Sequence, residues 1–282
     1  MTPEIVLRLV IIAMAVGVGC MPMRSPERYK KYTNIADALN NRDDVRFISL
    51  DGSNLSHVPV SDLARFPGLV KLSMRNNRLE SVDPGIGDLK QLAFLDLSHS
   101  GVKILPGELS GLVNLKQLYL SDNELQQLPP TTGNLASLVY INLDRNRLTV
   151  IPAEIGRLTG LKWLRLNGNQ IGALPPEIGN LVKLERLYLE GNKLKEFSLD
   201  LSKLTRLTDL NLRKNELEVF PAPILQLQNL SRLDLDDNKL AVLPAEVAKL
   251  ARLRIISLRN NRFSEEEKDR IEKLLQGCQI IF

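Results

Sequence analysis

Apolar residues recur along this chain in a fixed frame. From Leu69 the pattern Leu-x-x-Leu-x-Leu-x-x-Asn-x-Leu restarts at Leu92, Leu115, Leu138, Leu161, Leu184, Leu207, Leu230 and Leu253, each step being 23 residues. A first unit of 24 residues begins at Val45, so ten units cover 45–263. A self-similar period of this length decides the architecture, because each unit is one supersecondary element that cannot bury its apolar face alone. Inside a unit the spacing names the element. Leu187 and Leu189 alternate with Arg186, Tyr188 and Glu190, and side chains of a strand alternate between its two faces. The pattern therefore predicts one short strand per unit, with leucines on the inner face and the intervening residues on the outer one.

The second half of each unit is patterned differently. A proline column stands at Pro106, Pro129, Pro152, Pro175, Pro221 and Pro244. Proline has no N–H to donate and belongs outside a strand ladder. An aliphatic column follows at Leu89, Leu112, Leu135, Leu158, Leu181, Leu204, Leu227 and Leu250, with Phe66 in the first unit; it is expected to close the core from the side opposite the strands. Units of this kind hold only by stacking, and their ends need covers. At the C-terminus, Ser264 followed by Glu267 has the spacing of a capping box. It predicts a helix to about Gln276 with Ile271, Leu274 and Leu275 inward, a stop at Gly277, and a short strand over 278–282. At the other end 33–39 predicts a short helix with Ile35, Ala38 and Leu39 inward.

With Pro152–Leu158 (PAEIGRL) and Pro175–Leu181 (PPEIGNL) in its second half, the unit resembles the leucine-rich-repeat family in its 23-residue bacterial form. The N-terminal Ala36–Leu55 (ADALNNRDDVRFISLDGSNL) together with the C-terminal Ser264–Phe282 (SEEEKDRIEKLLQGCQIIF) is similar to spirochaete-like leucine-rich-repeat lipoproteins. The resemblance implies an α/β solenoid: a horseshoe with a parallel concave sheet, a mostly irregular or short-helical convex side, and helical caps at both ends. It implies that the amides of the Asn77, Asn123, Asn146, Asn169, Asn192, Asn215, Asn238 and Asn261 column point inward and bond the backbone of neighbouring turns. Ser53 and Ser100 stand in that column, and a hydroxyl satisfies fewer groups than an amide, so weaker turns are expected there.

The first 19 residues read as a signal peptide. An apolar run over 9–19 follows Arg8 and ends in small residues, and it is too short for a membrane span, which takes about 20 residues. It meets Cys20 directly, and Gly-Val-Gly-Cys resembles a bacterial lipoprotein box in which Cys20 is lipidated. The expected organisation is signal peptide 1–19, lipid-anchor tether 20–32, N-terminal cap 33–44, repeats 45–263 and C-terminal cap 264–282. The expected location is exported and membrane-anchored, at the outer membrane or cell surface. A secreted chain, or a cytoplasmic one if the leader is misread, is the alternative.

Composition narrows the function. Net charge is +4, from 37 basic and 33 acidic residues, and the two signs are interspersed. Nucleic-acid proteins gather their basic residues into a patch, so no nucleic acid is expected. The two cysteines, Cys20 and Cys278, make neither a disulfide framework nor a zinc site. His57 and His99 fall in turns without a nucleophile motif beside them. Asp234, Asp236 and Asp237 share one turn and read as a solvated face rather than a metal site. Leu128–Gly133 looks like a cell-wall sorting motif but lies inside a repeat with no apolar tail after it. No cofactor, metal or catalytic residue is expected.

The outer strand positions are where chemistry gathers. Phe94, Tyr119, Tyr140, Trp163 and Tyr188 stand on five successive strands, with Arg145, Arg165 and Arg186 among them. In the family these positions line the concave face. Strands about 4.8 Å apart put the group within roughly 20 Å, and Trp, Tyr and Arg dominate interface energies. The expected partner is a protein or peptide on the concave face, with a membrane reached through the lipid anchor. The alternatives are a glycan ligand, a scaffold without a defined ligand, or aromatics that only stabilise the sheet by packing across strands, about 0.2–1 kcal/mol per pair.

Overall fold

The structure is a computed structural model and describes residues 29–282. The signal peptide, Cys20 and most of the tether lie outside the described residues. Twelve parallel strands form one open sheet in sequence order. They are β1 (Lys31–Tyr32), β2 (Phe47–Ser49), β3 (Lys71–Ser73), β4 (Phe94–Asp96), β5 (Gln117–Tyr119), β6 (Tyr140–Asn142), β7 (Trp163–Arg165), β8 (Arg186–Tyr188), β9 (Asp209–Asn211), β10 (Arg232–Asp234), β11 (Ile255–Ser257) and β12 (Gln279–Ile281). The horseshoe read from the sequence is what forms. The ten central strands come one from each unit, and β1 and β12 come from the caps. The first strand thus starts at Lys31, two residues before the cap boundary expected from the sequence.

The register follows the repeat. Leu72 pairs with Leu95, Leu95 with Leu118, and Leu164 with Leu187, so every inner leucine stacks on its counterpart in the next unit. The result is one continuous core from Tyr32 to Leu275. After each strand from β3 to β11 the chain turns through one residue with left-handed backbone. This column is Asn76, His99, Asp122, Arg145, Gly168, Gly191, Lys214, Asp237 and Asn260, with φ between 53° and 67°. The following asparagine clamps the turn. Asn169 Nδ2 donates to the carbonyls of Leu143 and Leu166, both at 3.0 Å, while its Oδ1 accepts from the Leu148 amide at 3.0 Å. The side chain thus ties three points of backbone across two units, and the column is buried from Asn77 to Asn238 as the resemblance implied, with Asn261 half-buried at its end. Ser100 makes fewer such bonds with its single hydroxyl proton. It is fully buried, and its Oγ donates to Met74 at 3.0 Å or Ser98 at 3.1 Å. Ser53 is exposed instead.

After the short α-helix Val60–Leu63 of the first unit, the convex side is a stack of single 3₁₀ turns, such as Pro130–Asn134, Ala153–Arg157 and Pro176–Asn180. A side chain at Gly133 or Gly156 would press into the carbonyl of Glu154 or Glu177 in the next turn, which is why small residues sit there. Between β8 and β9, where Ser198 replaces the column proline, the chain forms no such turn.

The caps are built as expected, with one difference. The N-terminal helix is Ile35–Leu39, capped by Asn34 accepting from the Asp37 amide at 2.7 Å. The C-terminal helix is Glu265–Leu274, and Ser264 Oγ accepts from the Glu267 amide at 3.2 Å. The Glu267 side chain does not return to Ser264 as a capping box would. It accepts from the Leu243 amide at 2.9 Å, and Arg270 bonds both Glu267 and the Leu243 carbonyl. The amide of buried Leu243 is a stronger claim on that carboxylate than the helix's own first residue. Among the described residues no helix is long and apolar enough to cross a membrane.

Candidate functional site

Each three-residue strand sends its middle side chain into the core and the other two onto the concave face. The parallel register aligns these outward residues from strand to strand, so Lys31, Phe47, Lys71 and Phe94 stand in one row across β1 to β4. The row becomes a ladder of stacked side chains. Lys31 Nζ lies 5.8 Å from the Phe47 ring centre, and Lys71 Nζ lies 4.6 Å from Phe47 and 4.8 Å from Phe94. Phe94 meets Tyr119 at 5.2 Å between ring centres, Tyr119 meets Tyr140 at 4.8 Å, and Tyr140 meets Trp163 at 5.9 Å. The Arg186 guanidinium then lies 4.1 Å over Trp163. The contacts run without a break from β1 to β8. Tilted aromatic pairs at such distances add about 0.5–1.5 kcal/mol each beyond the area they bury.

The ladder places the expected binding residues unequally. Phe94, Tyr119 and Tyr188 are half-buried on the concave face. Tyr140 and Trp163 point the same way yet are only 2% and 6% exposed, because their neighbours in the ladder cover them. They form its base rather than a solvent-facing surface. Buried there, Trp163 Nε1 finds no hydrogen-bond acceptor among the described residues.

The three arginines divide as well. Arg165 is held by Asp144, Nε to Oδ2 at 2.7 Å, with the two side chains 12% and 2% exposed, and it lies 5.2 Å over the Tyr188 ring. Arg186 lies between Trp163 and Asp209. Arg145 is not on a strand. It occupies the left-handed turn position after β6 and is ion-paired to Asp122 at the rim. Burial alone would raise the Asp122 carboxyl, but the bonds and charge of Arg145, with His99, hold it below its ordinary value.

Sequence reasoning missed Phe47, Lys31 and Lys71. Phe47 stands one unit before Lys71 in the same register and could have been found by extending the row backwards. Lys31 lies ahead of the repeat, where no periodicity marks it.

Beyond β8 the row turns ionic. Asp209 lies between Arg186 and Arg232. Asp236 is 1% exposed and bonded by Ser257, the Arg259 amide and the Arg259 guanidinium, and Asp237 accepts from Arg213 at 2.9 Å. The aspartates of this turn are therefore engaged in a network and not a solvated face, which the spacing alone had implied. Asp234 differs. Burial, with the Asp236 carboxylate beside it, pushes its carboxyl up to about 6, and its bond from the Asp236 amide at 3.0 Å does not offset this. Among the described residues no group of His, Cys, Asp or Glu is placed to hold a metal ion. His99 Nε2 lies 3.0 Å from Asp122, and His57 Nδ1 lies 3.3 Å from Ser56 Oγ on an exposed loop of another unit.

The leucine-rich-repeat family profile matches residues 67–125, 113–171, 136–194, 160–217 and 205–263. This chain is a leucine-rich-repeat protein. Among solved structures, the repeat protein is similar to an internalin (inlF) from Listeria monocytogenes, at 24% identity and a TM-score of 0.75 over 89% of this chain and 71% of that one. It is also similar to the plant peptide hormone receptor RGFR1 in complex with RGF2, at 23% identity and a TM-score of 0.55 over 77% of this chain and 44% of that one. A Leptospira interrogans leucine-rich-repeat protein shares 26% identity over 90% of this chain and all of that one, with a TM-score of 0.39. No curated protein matches the chain.

Proposed function

We propose that this leucine-rich-repeat protein is a non-enzymatic binding module, exported and anchored through a lipid on Cys20, that takes a protein or peptide on its concave face. The observation that carries the binding reading is the ladder from Lys31 to Arg186, a rigid, partly apolar platform with half-exposed rings at Phe94, Tyr119 and Tyr188. Rigid aromatic groups already held in place lose little freedom on binding, so they serve well as interface anchors. The face is long and shallow, which suits an extended polypeptide. The same fold in the plant receptor is solved in complex with RGF2, in keeping with that ligand class. The anchor rests on the apolar run that ends at Cys20.

The burial of Trp163 moves the decisive substitution elsewhere. Replacing Trp163 would open a hole in the ladder, whereas Tyr119 and Tyr188 are half-exposed and can be truncated without opening the core, Tyr119 giving up its stacking on Phe94 and Tyr140. Peptides selected by the full chain from a displayed random library should lose at least tenfold in affinity, about 1.4 kcal/mol, on Tyr119→Ala with Tyr188→Ala. Melting should fall only by what the two ring contacts of Tyr119 contribute, about 1–3 kcal/mol. Affinity that survives both truncations contradicts a concave site. For the anchor, fatty-acid labelling of the expressed chain should vanish on Cys20→Ala; equal label in both proteins contradicts lipidation there.

A further inference from the structure

We propose that the N-terminal end of the concave face, where Lys31 and Lys71 flank the Phe47 ring, binds the carboxylates of an acidic polypeptide segment whose following apolar side chains lie on Phe94 and Tyr119. This rests on the concave-face reading above and adds the chemistry of the partner. Lys31 and Lys71 stand two strands apart in one row, a separation of about 10 Å at the ordinary strand spacing. On a chain in the polyproline II conformation, with three residues per turn and about 3.1 Å per residue, carboxylates three residues apart lie on one face and span about 9 Å, close to the same distance.

Among the described residues the lysines lack the neutralising partners that arginines farther along the face possess. Among the described residues no carboxylate lies within 4.0 Å of Lys30, Lys31 or Lys71. Asp51 feels the Lys31 charge but is already bonded by Ser73 Oγ at 2.5 Å and the Arg75 amide at 2.9 Å. Asp96, two strands along, accepts from the Ser98 amide at 2.9 Å and lies 3.7 Å from Arg75.

Lys71 is half-buried against Phe47 and Phe94 and repelled by Lys31; both effects lower its pKa. A cation that has lost part of its hydration and faces a like charge gains more from an arriving carboxylate than an exposed lysine would. The aromatic strip that leads away from the lysines favours a polypeptide over a sulfated glycan. Phe94 and Tyr119 offer apolar contact beside the charges, whereas a polyanionic sugar needs charge along its whole length.

The test uses the full chain and a fluorescein-labelled hexapeptide, Glu-Gly-Ser-Glu-Phe-Phe, with the Gln-Gly-Ser-Gln-Phe-Phe peptide as its neutral counterpart, read by anisotropy. The acidic peptide should bind roughly tenfold more tightly than the neutral one. Lys31→Gln with Lys71→Gln should remove that preference, Lys71→Arg should keep it, and Lys90→Gln, beyond the convex turn Pro84–Asp88, should leave it unchanged. Equal binding of the two peptides, or an acidic preference that survives the double substitution, overturns the proposal. If Tyr119→Ala still weakens the peptide in that case, the concave-face reading stands and only the charge assignment falls. If it too has no effect, both fall. A heparin hexasaccharide that binds more tightly than the peptide and loses affinity on the same double substitution overturns the proposal in favour of an anionic glycan.

Discussion

The two ends of the concave face carry similar charges in different states. From β7 to the C-terminal end, cations are matched to carboxylates across strands: Arg165 with Asp144, Arg232 with Asp209, Arg213 with Asp237 and Arg259 with Asp236. At the N-terminal end, Lys31 and Lys71 lie on aromatic rings instead. The difference follows from chemistry at the strand positions. Arginine presents a planar fork that fits a carboxylate on the next strand, and lysine offers a flexible point charge. A matched pair holds neighbouring units together and has little left to offer a ligand. A lysine on a ring adds less to the fold and remains available.

This contrast can be broken from either side. The largest effect is expected at Arg165. Asp144 is 1% exposed, so Arg165→Gln leaves a buried carboxylate with only the Asn167 amide at 2.8 Å as a strong partner. Breaking a buried pair from one side costs about 3 kcal/mol, which in a chain of this size lowers Tm on the order of 10 °C. A melting curve for this variant that overlays wild type would show that the pairs are ornamental and erase the distinction.

A smaller effect is expected at Asp234, a concave-face carboxylate with no cation within 4.0 Å among the described residues. Its pKa is raised to about 6 in the fold, against about 4 in an unfolded chain. The native state therefore holds the proton more tightly, so the contribution to stability is fully present below about pH 4 and is lost as pH rises through about 6. Asp234→Asn keeps the acceptor for the Asp236 amide and removes the charge. It should raise stability by about 1–2 kcal/mol at pH 7.5, allowing for solvent screening, and by nothing near pH 4. Thermal melts of both proteins across that range check the sign; a variant that is less stable at pH 7.5 contradicts the assignment.

Much of this architecture was legible in the leucine frame, because inward positions obey a period that packing enforces. Leu187 and Leu189 could face only one way, and the buried Asn169 needs the bonds it makes. Outward positions obey no such period. Alternation correctly set the direction of Tyr140 and Trp163 but not their coverage, which depends on residues 23 positions away on adjacent strands. The aspartates after β10 were misread for the same reason, since Arg213 and Arg259 reach them from neighbouring units. Glu267 had the spacing for a capping box, yet an amide of the preceding unit took its carboxylate. Lys31 and Lys71 gave no signal because a lone lysine at an outward position is commonplace until its missing partner is seen.

The most direct measurement sets affinity against stability for Lys71→Gln and Arg165→Gln together. The acidic hexapeptide and a thermal melt are run on each protein in the same buffer. The account predicts that Lys71→Gln lowers peptide affinity several-fold with Tm unchanged or slightly raised, as repulsion from Lys31 is relieved, and that Arg165→Gln lowers Tm while the remaining folded protein binds the peptide as before. The reverse result, in which Lys71→Gln destabilises the fold without touching affinity and Arg165→Gln abolishes binding without touching Tm, would contradict it.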